Sequence, residues 1–256
     1  MKTAGIDVGF DMIKVAVMRD GQVVAKAAGE AGCIGREENI NKLYKEALDA
    51  AGLQESEIEK VAATGIGKFS VKFAADYITD AIAEAKAARF FFQGATDVVD
   101  IGADKTHVVS LDGDKIKETV LNQKCMAGLG LALDVISHRL GYTLDEISQF
   151  KADAAQGTIV NDGCPVFAEL DSFEELNQGT PKEQVMGAVI QSVVVRLNSI
   201  LREKEMPAKD TTVLLGGVSR NKAVVEGLKA RSGLNFLIPE DAVYGGAIGC
   251  ALAAAG

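Results

Sequence analysis

Two motifs of the form Asp-x-Gly stand at equivalent places in two parts of the chain. Asp7 and Gly9 close one short apolar run, and Asp100 and Gly102 close another. Such motifs are often plain turns, but glycine also lets backbone amide groups approach and bind a phosphate. An aspartate at a strand end can hold a metal-bound water or orient the attacking group. Two motifs facing each other would hold a nucleotide's phosphates, with Lys14 as a nearby point charge.

A third glycine pair follows a predicted strand late in the chain. Gly216 and Gly217 lie between an apolar run that ends at Leu215 and a predicted helix. Bare backbone at a helix N-terminus could let adenine or ribose lie against it. The alternative is close packing of the strand on the helix, which glycine serves equally well.

Two of the four cysteines are predicted to stand where helices begin. Cys125 lies where a strand gives way to a helix, and Cys164 precedes Pro165, which suits the first helical position and would make Cys164 the N-cap. A helix N-terminus lowers the pKa of a thiol and favours anionic ligands. Two thiolates are half of what an iron–sulfur cluster needs, and a two-fold dimer would supply the other half. The alternative is that both are buried small apolar residues.

The other cysteines and the two histidines carry less information. Cys250 lies among Ala, Gly and Leu residues and is expected to pack in the core, whereas Cys33 has no assignable role. No Cys-x-x-Cys pair exists, which excludes a zinc ribbon or thioredoxin motif within one chain. Two histidines leave little room for a histidine-based metal site.

A duplicated three-strand unit followed by helices positions these motifs. Asp20-Gly21 and Asp112-Gly113 are predicted to be the hairpin turns of the two copies. Strands are predicted at 3–9, 12–18, 22–28, 59–63, 97–102, 106–111, 115–121, 211–215 and 234–238. Helices are predicted at 39–51, 77–92, 126–140, 143–150, 181–205, 218–231 and 243–255.

The alternation of strands and helices predicts an α/β protein of two similar lobes, with the cleft between them as the ligand site. We expect lobe I to span residues 1–94, with the C-terminal helix 240–256 returning to it. Lobe II would span 95–239 and carry both cysteine-bearing helices and the third glycine pair.

Composition narrows the class of protein further. The 256 residues are 48% apolar and 25% charged, which is enough to bury a core. The net charge of −9 comes without a basic stripe, so a nucleic-acid partner is not expected. No stretch approaches the roughly 20 apolar residues of a membrane span, and the first residues lack a signal segment. We therefore expect a cytoplasmic protein with no membrane partner.

Four segments resemble the acetate and sugar kinase, chaperone ATPase and actin superfamily in their order and spacing. They are GIDVG (5–9), DIG (100–102), LLGGVSRN (214–221) and YGGAIGCAL (244–252). The resemblance implies two ribonuclease-H-like lobes, an actin-like ATPase fold, with ATP or ADP and Mg²⁺ in the cleft. It implies that Asp7 and Asp100 position Mg²⁺ and water. The residues implied to bind the nucleotide are Gly9, Lys14, Gly102, Gly216, Gly217 and Asn221.

The cysteine segments KCMAGLG (124–130) and CPVFAE (164–169) resemble the 2-hydroxyacyl-CoA dehydratase activator and benzoyl-CoA reductase ATPase family. That resemblance implies one 4Fe–4S cluster bridging two chains, in a homodimer or with a paired paralogous subunit. Cys125 and Cys164 would be its ligands in this chain. ATP-driven closure would pass a low-potential electron to an iron–sulfur dehydratase or reductase.

Several residues depart from that family's pattern. Phe10 and Asp11 stand where Ser or Thr is usual, and Leu129 replaces a hydroxyl residue. In the second phosphate motif, Ala103, Asp104 and Lys105 stand in place of Gly, Gln and the last Asp. Loss of hydroxyl and amide groups removes ligands for Mg²⁺ or the attacking water. Three alternatives therefore stay open: a paralogue that binds the cluster without hydrolysing ATP, a small-molecule kinase of the superfamily, or a non-catalytic scaffold.

Overall fold

The computed structural model describes residues 1–32, 34–122, 129–151, 153–203 and 211–256. Cys33 and Cys125, and the first residues of the helix predicted at 126–140, lie outside these ranges. The strands are β1 (Lys2–Val8), β2 (Met12–Arg19), β3 (Gln22–Glu30), β4 (Lys60–Thr64), β5 (Asp76–Tyr77), β6 (Asp97–Ile101), β7 (Thr106–Asp112), β8 (Lys115–Leu121), β9 (Thr212–Leu215) and β10 (Phe236–Leu237). The helices are α1 (Arg36–Ala51), α2 (Asp80–Phe91), α3 (Leu129–Arg139), α4 (Leu144–Ile147), α5 (Pro165–Asn177), α6 (Lys182–Glu203), α7 (Lys222–Ser232) and α8 (Gly245–Ala255).

The chain divides into two compact units. The first comprises Met1–Val98, Val109–Thr119 and Pro239–Gly256, and the second comprises Val99–Val108 and Val120–Ile238. The C-terminal helix α8 therefore belongs to the same unit as the N-terminal strands. The lobe boundaries at residues 94 and 239 stay a prediction from the duplication.

The sheet of the first unit has the strand order β3-β2-β1-β4-β5. β1, β2 and β3 pair antiparallel, whereas β4 pairs parallel with β1 and with β5. Asp20 and Gly21 both have positive φ, at 51° and 79°, which is the backbone of a type I′ hairpin turn. The hairpin predicted from Asp20-Gly21 is confirmed.

Side chains alternate along β1, so that its two faces pack against different helices. Ala4, Ile6 and Val8 are fully buried in one apolar cluster with residues of α1. The residues between them face α8: Thr3 Oγ1 donates to the Ala251 carbonyl at 2.9 Å, and a β-carbon on Gly5 would overlap the backbone of α8. The same period of two places Asp7 on the α8 face of the sheet.

The second sheet has the strand order β10-β9-β6-β7-β8. In the second unit, α6 forms the centre of the core and packs against α3, α5 and α7. By length and composition α6 could cross a membrane, so the expectation that no stretch approaches a span was wrong. Its most apolar window is, however, 72% buried, which is the environment of a core helix.

Three predicted boundaries differ from the structure for local reasons. Residues 76–77 pair with β4, so that the helix predicted from 77 begins at Asp80, with the Thr79 side chain as its cap. The helix predicted at 143–150 is the single turn Leu144–Ile147, closed by a capping box of Thr143 and Glu146. The predicted helix 218–231 begins as a 3₁₀ turn at Gly217–Arg220 before α7.

The second predicted hairpin turn is also shifted by one residue. Asp112 is the last residue of β7, and the two residues between β7 and β8 are Gly113 and Asp114. Gly113 has a φ of 57°, whereas Asp114 is not among the residues with positive φ. This pattern is that of a type II′ turn, in which glycine takes the first central position.

Candidate functional site

Asp7 and Lys14 form an ion pair in the first unit. They are direct partners in the β1–β2 register, and Lys14 Nζ lies 3.2 Å from Asp7 Oδ2. Both side chains are only 17% exposed, so solvent screens the pair less than it would a surface pair. The paired ammonium offsets the carboxylate charge, which lowers the repulsion that Asp7 alone would exert on a polyphosphate.

The turn after β1 uses the amide of its own glycine. Gly9 N donates to the Met12 carbonyl at 3.0 Å, which closes the turn. A β-carbon on Gly9 would lie 2.9 Å from that carbonyl oxygen and 3.2 Å from Lys14 Nζ. Gly9 therefore shapes the turn and leaves room for Lys14, and its own amide is already engaged. The nucleotide role of Gly9 stays a prediction.

Two further glycines border the Asp7 carboxylate. A β-carbon on Gly65, after β4, would lie 2.7 Å from Asp7 Oδ1, and one on Gly246 would lie 3.0 Å from Asp7 Oδ2. Gly246 stands in the first turn of α8, whose positive end favours a carboxylate. Gly246 lies in the YGGAIGCAL segment identified in the sequence, but nothing in the sequence aligned that segment or Gly65 with Asp7.

Asp80 is a further acidic residue that sequence reasoning missed. Its Oδ1 accepts hydrogen bonds from Thr64 Oγ1 at 2.8 Å and from Gly65 N at 2.9 Å. Cys250, fully buried in α8, lies near both acids. Burial raises the pKa of the Cys250 thiol well above its usual range, and the charges of Asp7 and Asp80 raise it further. A neutral packed thiol is what the sequence predicted for Cys250.

The second Asp-x-Gly motif repeats the turn of the first. Gly102 N donates to the Lys105 carbonyl at 3.0 Å, as Gly9 N does to Met12. The carbonyls of Gly102 and Ala103 accept from Gly130 N and Leu131 N at the start of α3, at 3.3 and 3.0 Å. Asp100 is half-buried on β6 beside this turn. The predicted roles of Asp100 and Gly102 in catalysis and binding stay predictions.

The two glycines after β9 differ in what they do. Gly216 has a φ of 86°, and a β-carbon there would overlap the backbone of Ile101, so this glycine serves close packing on β6. Gly217 is exposed, and a β-carbon there would meet nothing within 4 Å. Gly217 therefore presents bare backbone, and the nucleotide roles of Gly216, Gly217 and Asn221 stay predictions. Asn221 is the N-cap of α7: its Oδ1 accepts from Val224 N at 3.0 Å.

Cys164 is the N-cap residue of α5, and Pro165 stands in its first turn, as predicted. Its thiol makes no capping hydrogen bond, and the residue is half-buried. Asn161 Oδ1 accepts from the amides of Gly163 and Cys164 at 2.9 and 2.8 Å, which fixes the approach to the helix. A thiolate here would lie at the positive end of a 13-residue helix, an arrangement that fits an iron–sulfur ligand.

Only one of the two predicted cluster ligands, Cys164, lies in the described part of the chain. Within the ranges that the structure describes, no group of three or more His, Cys, Asp or Glu side chains could hold a metal ion. Cys125, the other predicted ligand, lies outside those ranges.

Helix α5, which follows Cys164, also exposes an apolar face. Its members are Val166, Phe167, Leu170 and Phe173.

The whole chain is similar to known activators. It is 30% identical over 257 residues to the activator of lactoyl-CoA dehydratase of Anaerotignum propionicum, covering 98% of this chain and 96% of that one. It is 29% identical to the (R)-2-hydroxyglutaryl-CoA dehydratase activating ATPase of Acidaminococcus fermentans, covering 98% and 95%.

The solved structures agree with the sequence comparison. The crystal structure of the A. fermentans (R)-2-hydroxyglutaryl-CoA dehydratase component A superposes with a TM-score of 0.87 at 27% identity, covering 99% of this chain and 97% of that one. The actin-like ATPase fold expected from the motifs is thereby confirmed. Residues 4–254 match one family along their whole length, and the chain belongs to the BadF/BadG/BcrA/BcrD ATPase family.

Proposed function

We propose that this protein is an ATP-dependent electron-transfer activator that delivers low-potential electrons to an iron–sulfur dehydratase or reductase. The observation that carries the proposal is Cys164 at the N-terminus of α5, in a chain whose full-length relatives include dehydratase activators. Two copies of the chain, or this chain and a paralogous subunit, would share one 4Fe–4S cluster in the cytoplasm.

This chain would supply two ligands of the cluster and an apolar face beside it. A 4Fe–4S cluster, when bound, supplies one-electron transfer. Cys164 would ligate it as a thiolate stabilised by the dipole of α5, and Cys125 is the proposed second ligand. The exposed apolar face of α5, made of Val166, Phe167, Leu170 and Phe173, would be covered by the second subunit.

Each unit has proposed nucleotide-binding groups of its own. In the first unit, Asp7 would orient Mg²⁺ and its water, and Lys14 would contact phosphate oxygens as a point charge. In the second unit, Asp100 is the proposed counterpart of Asp7, and Gly217 offers bare backbone to the adenosine. The family description and the activating ATPase among the relatives support nucleotide binding.

Purification without oxygen tests the cluster. We expect a brown protein with about four iron atoms per two chains, and loss of that iron in Cys164→Ser. Cys250→Ala is the matched control, because Cys250 is buried in α8 and is not a proposed ligand. A colourless wild-type protein without iron, or a Cys164→Ser variant that keeps its iron, would contradict the cluster.

A non-hydrolysing paralogue is the second candidate. Leu129, where the family carries a hydroxyl residue, is fully buried in the apolar core, and Phe10 is 48% exposed on the turn after β1. Neither can supply a ligand to Mg²⁺ or water. ATP turnover measured with and without an electron acceptor separates the candidates, since the paralogue keeps the iron but shows no turnover. A kinase of the superfamily would instead be indifferent to Cys164→Ser.

A further inference from the structure

We infer that Asp80 is a positioning residue for the Asp7 carboxylate. The inference rests on the proposed nucleotide site at Asp7 and assigns it a residue that would not itself touch the nucleotide. Asp80 would act through the turn Thr64–Gly65, which separates it from Asp7.

The Thr64–Gly65 turn lies against Asp7. Thr64 is the direct partner of Asp7 in the parallel register of β1 and β4. Gly65 follows with a φ of 87°, and a β-carbon there would lie 2.7 Å from Asp7 Oδ1 and overlap the Val8 carbonyl. The backbone at Gly65 thus forms one wall of the space that the Asp7 carboxylate occupies.

Asp80 accepts hydrogen bonds from both residues of this turn. A single oxygen, Oδ1, accepts from both the Thr64 hydroxyl and the Gly65 amide. Thr64 and Gly65 are buried. The Thr64 hydroxyl also has the Ile78 carbonyl as an acceptor at 3.2 Å, so loss of Asp80 would be costly chiefly for the Gly65 amide. Asp80 is the first residue of α2 after the cap Thr79, where the helix N-terminus favours a carboxylate.

On its other side, Asp7 is bounded by groups outside the Thr64–Gly65 turn. Gly246 of α8 lies on its Oδ2 side, and Lys14 donates to the same oxygen. Movement of Gly65 would therefore open the Oδ1 side alone and let the carboxylate rotate relative to Lys14. A displacement of about 1 Å at a catalytic group can lower a rate by about a hundredfold.

The variants Asp80→Ala and Asp80→Asn test this role in ATP hydrolysis. Asp80→Ala removes the acceptor, so we expect kcat to fall about tenfold to a hundredfold and MgATP affinity to fall by a smaller, measurable factor. Asp80→Asn keeps an acceptor oxygen without the charge and should recover most of kcat. Asp76→Ala is the matched control, because Asp76 lies on neighbouring β5 and pairs with Lys60 at the surface. We expect wild-type kinetics from it.

A double-mutant cycle with Asp7→Asn shows whether Asp80 acts through Asp7. Scored as MgATP affinity by calorimetry, Asp7→Asn combined with Asp80→Ala should bind no more weakly than Asp7→Asn alone. Additive losses, an unchanged Asp80→Ala, or an Asp80→Asn as poor as Asp80→Ala would overturn the inference. Thermal unfolding of each variant shows whether it is folded. If Asp80→Ala does not fold, the kinetics and affinity of Asp80→Asn test the inference instead.

The same measurements separate this inference from the proposed function. A wild-type protein that binds MgATP without hydrolysing it contradicts the proposed turnover alone, and the affinity cycle then decides the role of Asp80. A wild-type protein that binds no MgATP overturns both.

Discussion

The Asp7–Lys14 pair is expected to determine how tightly the first unit binds an anionic ligand such as MgATP. Lys14→Met removes the only charge seen paired with Asp7 in the described part of the chain and leaves a partly buried carboxylate. We expect MgATP affinity to fall on the order of tenfold, because a phosphate contact is lost and repulsion is gained. Lys42→Met, which removes an exposed lysine of α1 paired with Glu46, should leave the affinity unchanged. Calorimetric titration of both variants checks this, and equal losses would speak against a phosphate contact.

Tyr44 gives the first unit a pH dependence at high pH. Its ring is buried against Phe73, and within the described residues its hydroxyl has no hydrogen-bond partner. Burial raises the pKa of Tyr44 from 10.0 to about 12. The unfolded chain therefore loses this proton first, and the free energy of unfolding should fall as the pH rises from 10 towards 12. Tyr44→Phe should remove the Tyr44 share of that fall in denaturant titrations without lowering stability at pH 7, and should leave the share of Tyr142, whose pKa is also raised to about 12.

At the scale of elements, the two glycines after β9 separate packing from binding. Gly216→Ala forces a side chain onto positive φ and into the backbone of Ile101, so we expect a loss of at least about 1 kcal/mol in the free energy of unfolding. Gly217→Ala meets open space and should leave stability unchanged. If adenosine lies against Gly217, Gly217→Ala should bind MgATP more weakly than the wild type although its free energy of unfolding is unchanged. Unfolding curves and titrations of both variants decide the matter.

Turns and helix starts could be predicted, because they follow from the backbone preferences of neighbouring residues. Most contacts between residues of different helices and strands could not be predicted. Asp20-Gly21 and Pro165 determine a turn and a helix start through their own backbone preferences. The proximity of Asp7 and Lys14 also follows from a short turn between paired strands. Asp80 lies one turn away from Asp7 because β4 pairs parallel with β1, and Gly246 borders Asp7 because α8 packs on the same sheet. The return of the C-terminal helix to the first lobe was predicted, but sequence spacing carries no sign of which of its residues meets Asp7 or of the β1–β4 pairing.

At the scale of the whole molecule, the proposed shared cluster requires a second chain, and α5 indicates the face that it would cover. Phe167 and Leu170 are 57% and 56% exposed and lie within two turns of Cys164. Isolated exposed apolar residues are ordinary, but four on one helix beside a proposed ligand are expected to be buried on assembly. The chain's charge of −9 is unfavourable for self-association at low salt, so burial of this face would have to offset the repulsion.

Phe167→Glu tests that assembly. A carboxylate placed on this face would have to be desolvated in a dimer, so we expect the variant to sediment as a monomer and to lose iron, because each chain then holds only half of the ligands. Leu144→Glu, on the exposed side of α4, is the matched control and should sediment as the wild type does. Sedimentation velocity with an iron assay on the same anaerobic sample reports both quantities. A Phe167→Glu protein that remains a dimer with its iron would place the subunit contact elsewhere, while iron retained by a monomer would contradict a cluster shared by two chains.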